Sequence, residues 1–180
     1  MSENATVDPL DDFESKLSDP LSPVLLGGIG SEKVVRLFSL FSRFEHAMKC
    51  HNYAAQDRFG NIQPDWSGFC VSMAGAFNQS KSQRLNDSLS YLLANPPMKQ
   101  RIDLSWEPCQ FPAWCADDSS KAIWLAKNVR NNLFHGGKYL DVMRQRDEML
   151  IDAACVIILA SLSVDKTLAN CFEAPPHIVQ

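Results

Sequence analysis

Between Ser31 and Cys50 the apolar residues Val34, Val35, Leu37, Phe38, Phe41, Phe44, Ala47 and Met48 recur at three- and four-residue spacing. That spacing lines one side of an α-helix; a strand would alternate every two residues. A helix with one apolar side must bury it, so the rest of the chain has to supply the partners. Ser31 is placed to cap this helix, and Glu32 suits the positive end of its dipole.

The same signal returns four times. Asp65 is an N-cap candidate for a second helix over 66–81 that carries Phe69, Met73, Ala76 and Phe77. A third helix, over about 85–93, stops at Asn95-Pro96-Pro97, where proline has no amide hydrogen to continue it. A fourth starts near Asp118-Ser119 and runs through Ile123, Trp124 and Ala126 to Phe134, with Gly136-Gly137 as its stop. A fifth opens at Asp141 and continues to about Asn170. Residues 52–64 read as a polar loop around Gly60-Asn61. Residues 99–112 read as extended, with Ile102, Leu104 and Trp106 alternating, either as a short strand or as a segment crossing the helices. The prediction is an all-α, antiparallel bundle of four to five helices with that extended segment between the third and fourth. The phenylalanine stripes and Trp124 are expected in its core.

The length of 180 residues suits one domain with a tail. Residues 1–30 read as an acidic, Pro- and Gly-rich flexible lead-in, and 31–175 as the helical domain. Gly27-Gly28-Ile29-Gly30 has no preceding strand and no following Lys-Ser/Thr, so it reads as a hinge and not as a phosphate-binding loop. Six acids stand against Lys16 in the first twenty residues, a balance of −5, while the whole chain carries −4. The acidic total therefore hides a nearly neutral remainder. Within 121–146, Lys121, Lys127, Arg130, Lys138, Arg144 and Arg146 face Asp141 alone. That cluster is either a solvated face or a place for a polyanion.

The first twenty residues lack the apolar stretch of a secretory signal, which predicts a cytoplasmic protein. The longest apolar stretch, 149–164, contains Asp152 and is short for a bilayer span, so it reads as a buried helix and no membrane association is expected. Four of the six cysteines lie in apolar helical patterns and read as small core hydrophobes. Cys109 and Cys115 have no second pair at metal-ligand spacing, so no metal or other cofactor is predicted.

Chemistry concentrates at 130–139. Arg130 is a permanent planar cation suited to phosphate, and His135 titrates near neutrality and can move protons. Asn131 is four residues before His135, on the same helix face, where its amide can orient the imidazole. Arg130 is five residues before it, so on a straight helix the two diverge in angle; they converge only if the helix loosens at Gly136-Gly137 or meets the same pair from another subunit. Lys138 and Tyr139 add a cation and a stacking ring, and Lys127 a further cation one turn earlier. Arginine and histidine are also favoured at a helix C-terminus by the dipole alone, so spacing does not decide the matter.

The segment VRNNLFHGGK, Val129 to Lys138, resembles the signature of the HEPN superfamily (higher eukaryotes and prokaryotes nucleotide-binding domains), whose nuclease members carry Arg-x4–6-His near a helix end. FSRFEHAMK from Phe41, Asp65-Trp66-Ser67-Gly68-Phe69, and NPPMKQ from Asn95 followed by Trp106 resemble, in the same order, the bacterial plasmid- and chromosome-encoded HEPN family with the RNNLFHGGK pattern. The likeness extends over about 31–165. It implies a homodimer that brings two Arg-x4-His elements into one cleft and cleaves RNA without metal, leaving a 2′,3′-cyclic phosphate. Carried over, His135 serves as general base or acid, Arg130 holds the scissile phosphate, and Asn131 is the polar residue after the arginine. Lys127, Lys138 and Tyr139 become RNA contacts. Arg43 and Glu45 become the polar candidates from an early helix, with a surface ion pair as their other reading. The implied role is a toxin or phage-defence effector, with an antitoxin or another defence protein as a further partner. The alternative is a non-catalytic HEPN module that binds RNA, a nucleotide or a protein.

Overall fold

The computed structural model describes residues 29–78, 80–134 and 144–174. Among these, six helices hold 62% of the residues, and the remaining regular structure is two small antiparallel sheets. Helix α1, Ser31–Cys50, buries Leu37, Phe41, Phe44, Ala47 and Met48. The stripe is narrower than the sequence pattern implies, because Val35 and Phe38 stay more than half exposed. Gly30 is the N-cap and Ser31 the first helical residue, so the helix begins on the Gly30 carbonyl without a side-chain cap.

The expected polar loop at 52–64 is a hairpin, β1 Ala54–Gln56 with β2 Ile62–Pro64. Asp57 builds its turn by accepting from the Phe59 and Asn61 amides, and Gly60 supplies the positive φ. Asp65 then caps helix α2, Trp66–Ser72, through the Gly68 N–H. The sequence pattern carries this helix to 81, but it ends at Ser72. Gly75 turns with φ +72°, its N–H goes to the Asp117 carboxylate, and the Phe77 N–H goes to Ser119 Oγ. Those amides no longer seek carbonyls four residues back, while Met73 and Phe77 still reach the core.

Helix α3, Gln83–Ala94, is capped by Ser82 and stops before Pro96-Pro97 as predicted. The extended segment is a second hairpin, β3 Met98–Gln100 with β4 Trp106–Pro108, in the register Lys99↔Glu107. Ile102 and Leu104 form its exposed tip and bury nothing. Helix α4, Asp118–Phe134, has the predicted start; its expected stop at Gly136-Gly137 and the 141 start of the next helix lie outside the described residues, as does most of the N-terminal lead-in.

Helix α5, Arg144–Val164, buries Leu150, Ile151, Ala153, Ala154, Cys155, Val156, Ile157, Ile158 and Leu162. Six consecutive buried residues cover every side of a helix, and α1, α3 and α4 pack around it. The predicted single helix to 170 is broken at Asp165, which leaves the helical conformation and caps α6, Lys166–Glu173, by accepting from Leu168 N–H. Tyr53 donates to the other Asp165 oxygen at 3.1 Å, tying the α5–α6 junction to the first hairpin. Asp165→Ala should therefore cost about 1–2 kcal/mol in urea unfolding, whereas Asp165→Asn, a good cap, should lose well under half of that. Equal losses in the two variants would show that the cap is not what holds the junction.

Candidate functional site

Helix α4 has two dissimilar sides. Ala122, Ile123, Leu125, Ala126, Val129 and Leu133 are buried against the core. Trp124, Lys127, Asn128 and Asn131, at i, i+3, i+4 and i+7, line a surface groove instead. Trp124 is thus only half buried: its indole N–H donates to the Gln110 carbonyl, and its ring meets Trp114 edge-on.

Arg130 emerges between these sides near the C-terminal end of α4. Its Nη2 donates to Glu45 Oε2 of α1 at 3.0 Å, and its Nη1 donates to Asn131 Oδ1 at 3.0 Å. The Phe134 ring lies 5.9 Å away, and Phe38 packs edge-on against that ring. Glu45 is positioned by its neighbours, because Phe44 and Met48 are sunk in the core and fix that turn of α1. With side chains 30% and 18% exposed, the Arg130–Glu45 pair is half withdrawn from water, so it orients the guanidinium more firmly than a surface pair would. Among the described residues these bonds use two of the five guanidinium N–H donors, which leaves capacity for an incoming oxyanion.

Lys127 is half buried with its ammonium over the Trp124 ring at 4.6 Å. Burial pushes that ammonium below the ordinary lysine range; Glu45 opposes the shift and Arg130 adds to it. The nearby Cys70 thiol is raised so far by its own burial that it carries no charge at neutral pH, which leaves Glu45 as the anion that counts. Of the residues singled out in the sequence, Arg130, Asn131, Lys127 and Glu45 are brought together. Arg43 is not. Its guanidinium lies over the Phe172 ring at 4.3 Å, donates to the Phe172 carbonyl and approaches Glu173 at 3.8 Å, so it joins α1 to α6. His135, Lys138 and Tyr139 lie outside the described residues, although His135 directly follows the last residue of α4.

The sequence reading missed Lys99, Arg101, Gln110 and Asn128, which line the same groove as Lys127 and Asn131. Their only signal was a change of period, two along the hairpin and near four along α4. Among the described residues no three His, Cys, Asp or Glu side chains gather where they could hold a metal ion, and no helix is long and apolar enough to cross a membrane. The buried cysteines, Cys70, Cys109, Cys115 and Cys155, are free thiols packed as core residues.

Compared with protein-family models, curated proteins and solved structures, the chain matches none.

Glu45→Gln removes the anion that holds the Lys127 proton. The Lys127 ammonium should then titrate at still lower pH, read from its ε-carbon NMR signal. An unmoved or raised Lys127 midpoint would mean that Glu45 does not face this cluster in solution.

Proposed function

We propose that this protein is a metal-independent endoribonuclease of HEPN type, a toxin or phage-defence effector that cuts RNA at a site completed between two copies. The observation that carries this reading is the fixing of Arg130 by Glu45 and Asn131 at the end of α4, five residues before His135. Neutral proton chemistry needs a titrating group beside a phosphate-binding cation, and the Arg-x4-His resemblance supplies the pairing. In this reaction the ribose 2′-oxygen bonds to phosphorus and the bond to the 5′-oxygen breaks. His135 takes the 2′-hydroxyl proton or returns one to the leaving oxygen, and Arg130 stabilises the charge gathering on the phosphorane. The product is a 2′,3′-cyclic phosphate, which only RNA can form.

The packing of α1, α3 and α4 around α5 is compatible with the antiparallel HEPN-like bundle that the resemblance implies. A homodimer is supported by apolar surface at the site: Phe38 is 57% and Phe134 42% exposed, side by side next to Arg130. A second copy covering them would bring the two Arg-x4-His elements close.

A second reading draws on the same contacts. Arg130 is already neutralised by Glu45, as suits a non-catalytic module that binds RNA, a nucleotide or a protein such as an antitoxin without cutting.

Wild type incubated with total RNA in EDTA should yield ends bearing 2′,3′-cyclic phosphate. His135→Ala and Arg130→Ala should each cut about 100-fold more slowly or worse, with the fold retained. Wild type that binds RNA but leaves it intact, with binding unchanged by His135→Ala, would establish the module instead. Phe38→Asp should convert the dimer to a monomer in light scattering and abolish cleavage together with it; a surviving dimer would place the interface elsewhere.

A further inference from the structure

Two periodicities meet beside the site. Along the second hairpin, Lys99 and Arg101 share one face of the β3 strand and its extension. Glu107 and Cys109 share the matching face of β4, as the Lys99↔Glu107 register requires. Across from them stands the Trp124, Lys127, Asn128 and Asn131 face of α4. Between the two lies a groove of about 300 Å³ lined by all eight of these residues and Gln110.

The groove is framed at two points. The Asn132 amide donates to the Met98 carbonyl at one end, and the Trp124 indole donates to the Gln110 carbonyl at the other. Its lining holds three cations and one carboxylate. Glu107 is spent on Arg101, with Nε to Oε2 at 2.6 Å, and among the described residues Lys99 and Lys127 form no ion pair. Two ammonium groups with no carboxylate in direct contact among the described residues therefore line one small space. Among the described residues, Asn131, whose carbonyl oxygen accepts from Arg130, keeps its two amide hydrogens, and Asn128, whose amide donates to the Trp124 carbonyl, keeps its oxygen. An anion with both acceptors and donors fits that set, and the half-buried Lys127 gains more from such an anion than a fully hydrated lysine would. The volume is at the small end for ligand sites, enough for one nucleotide but not for several.

We propose that this groove seats one nucleotide of the RNA strand, next to the bond that is cut, with its phosphodiester between Lys99, Lys127 and the Asn131 amide. Asn131 links the groove to Arg130, so the strand passes from the hairpin along α4 to the site. This assignment rests on the RNA substrate of the proposed function and not on its cleavage step.

The test uses the full chain and a mixed-sequence, all-2′-O-methyl RNA 12-mer, which lacks the attacking hydroxyl. Binding is followed by fluorescence anisotropy across a salt series. Lys99→Gln, at an exposed position, should weaken binding about five- to tenfold. Lys127→Met, which keeps the stem over Trp124, should do the same. The double variant should flatten the slope of log affinity against log salt by about 0.7, the value for one phosphate on a single strand. Arg58→Gln, in the first hairpin turn, should change neither quantity.

Wild-type affinity and slope in the double variant, with the wild type binding, would overturn the groove while leaving RNA as the substrate. No binding by wild type would overturn both. Loss of binding in the groove variants, combined with wild type that cuts no RNA, would sustain the groove and overturn the nuclease. Uridine 3′-monophosphate serves as competitor: if it saturates the Lys99 and Lys127 contacts without displacing the 12-mer, the groove is a site for free nucleotides and the assignment fails.

Discussion

The burial of α5 is the constraint on which the other elements depend. Leu150, Ile151 and the run from Ala153 to Ile158 leave the middle of this helix buried on every side but that of Asp152, which accepts from Lys33 of α1. A helix of that kind is stable only when surrounded, and at about 25 cal/mol per Å² of apolar surface each covering helix adds several kcal/mol of gross stabilisation. Helices α1, α3 and α4 take up that role, each turning its own apolar stripe inward. Ser161, also buried, satisfies its hydroxyl on the Ile157 carbonyl one turn back.

The site inherits its rigidity from this packing. Glu45 follows Phe44 on α1, and Arg130 follows Val129 on α4; both neighbours are buried, so the two charged side chains leave the core at fixed points. Their contact spans 85 residues of sequence yet needs no loop to hold it. An arginine aimed in this way would lose little freedom on meeting an oxyanion, which is what the proposed function asks of Arg130.

Local rules with one dominant cause were legible in the sequence. The length of α1, the Asp65 cap, the stop at Pro96-Pro97 and the start of α4 each follow from residues within a turn of the boundary. The failures share a different cause. Helix α2 ends early because Asp117 and Ser119, more than forty residues away, take the Gly75 and Phe77 amides. The α5–α6 break turns on Asp165, which reads equally well as a solvated residue within a helix until Tyr53 is seen beside it. Both hairpins have strands of three residues, too short for alternation to stand out. At the candidate site, Arg130 and Asn131 were singled out by residue type and spacing, and Glu45, alongside Arg43, only through the resemblance. The groove was not, because half of it repeats every two residues and the other half every three or four.

Helix α4 is attached at intervals along its whole length to otherwise separate parts of the chain. Ser119 holds the Phe77 amide, Trp124 the Gln110 carbonyl, Arg130 the Glu45 carboxylate and Asn132 the Met98 carbonyl. The helix therefore acts as a graduated axis whose marks must all stay in phase. One residue inserted after Ser120 would rotate every later mark by about 100°, withdrawing three attachments together and turning Val129 and Leu133 toward water. Diversity among relatives of this protein should thus enter α4 by replacement and almost never by change of length, while the tip of the second hairpin, where Ile102 and Leu104 bury nothing, is open to both.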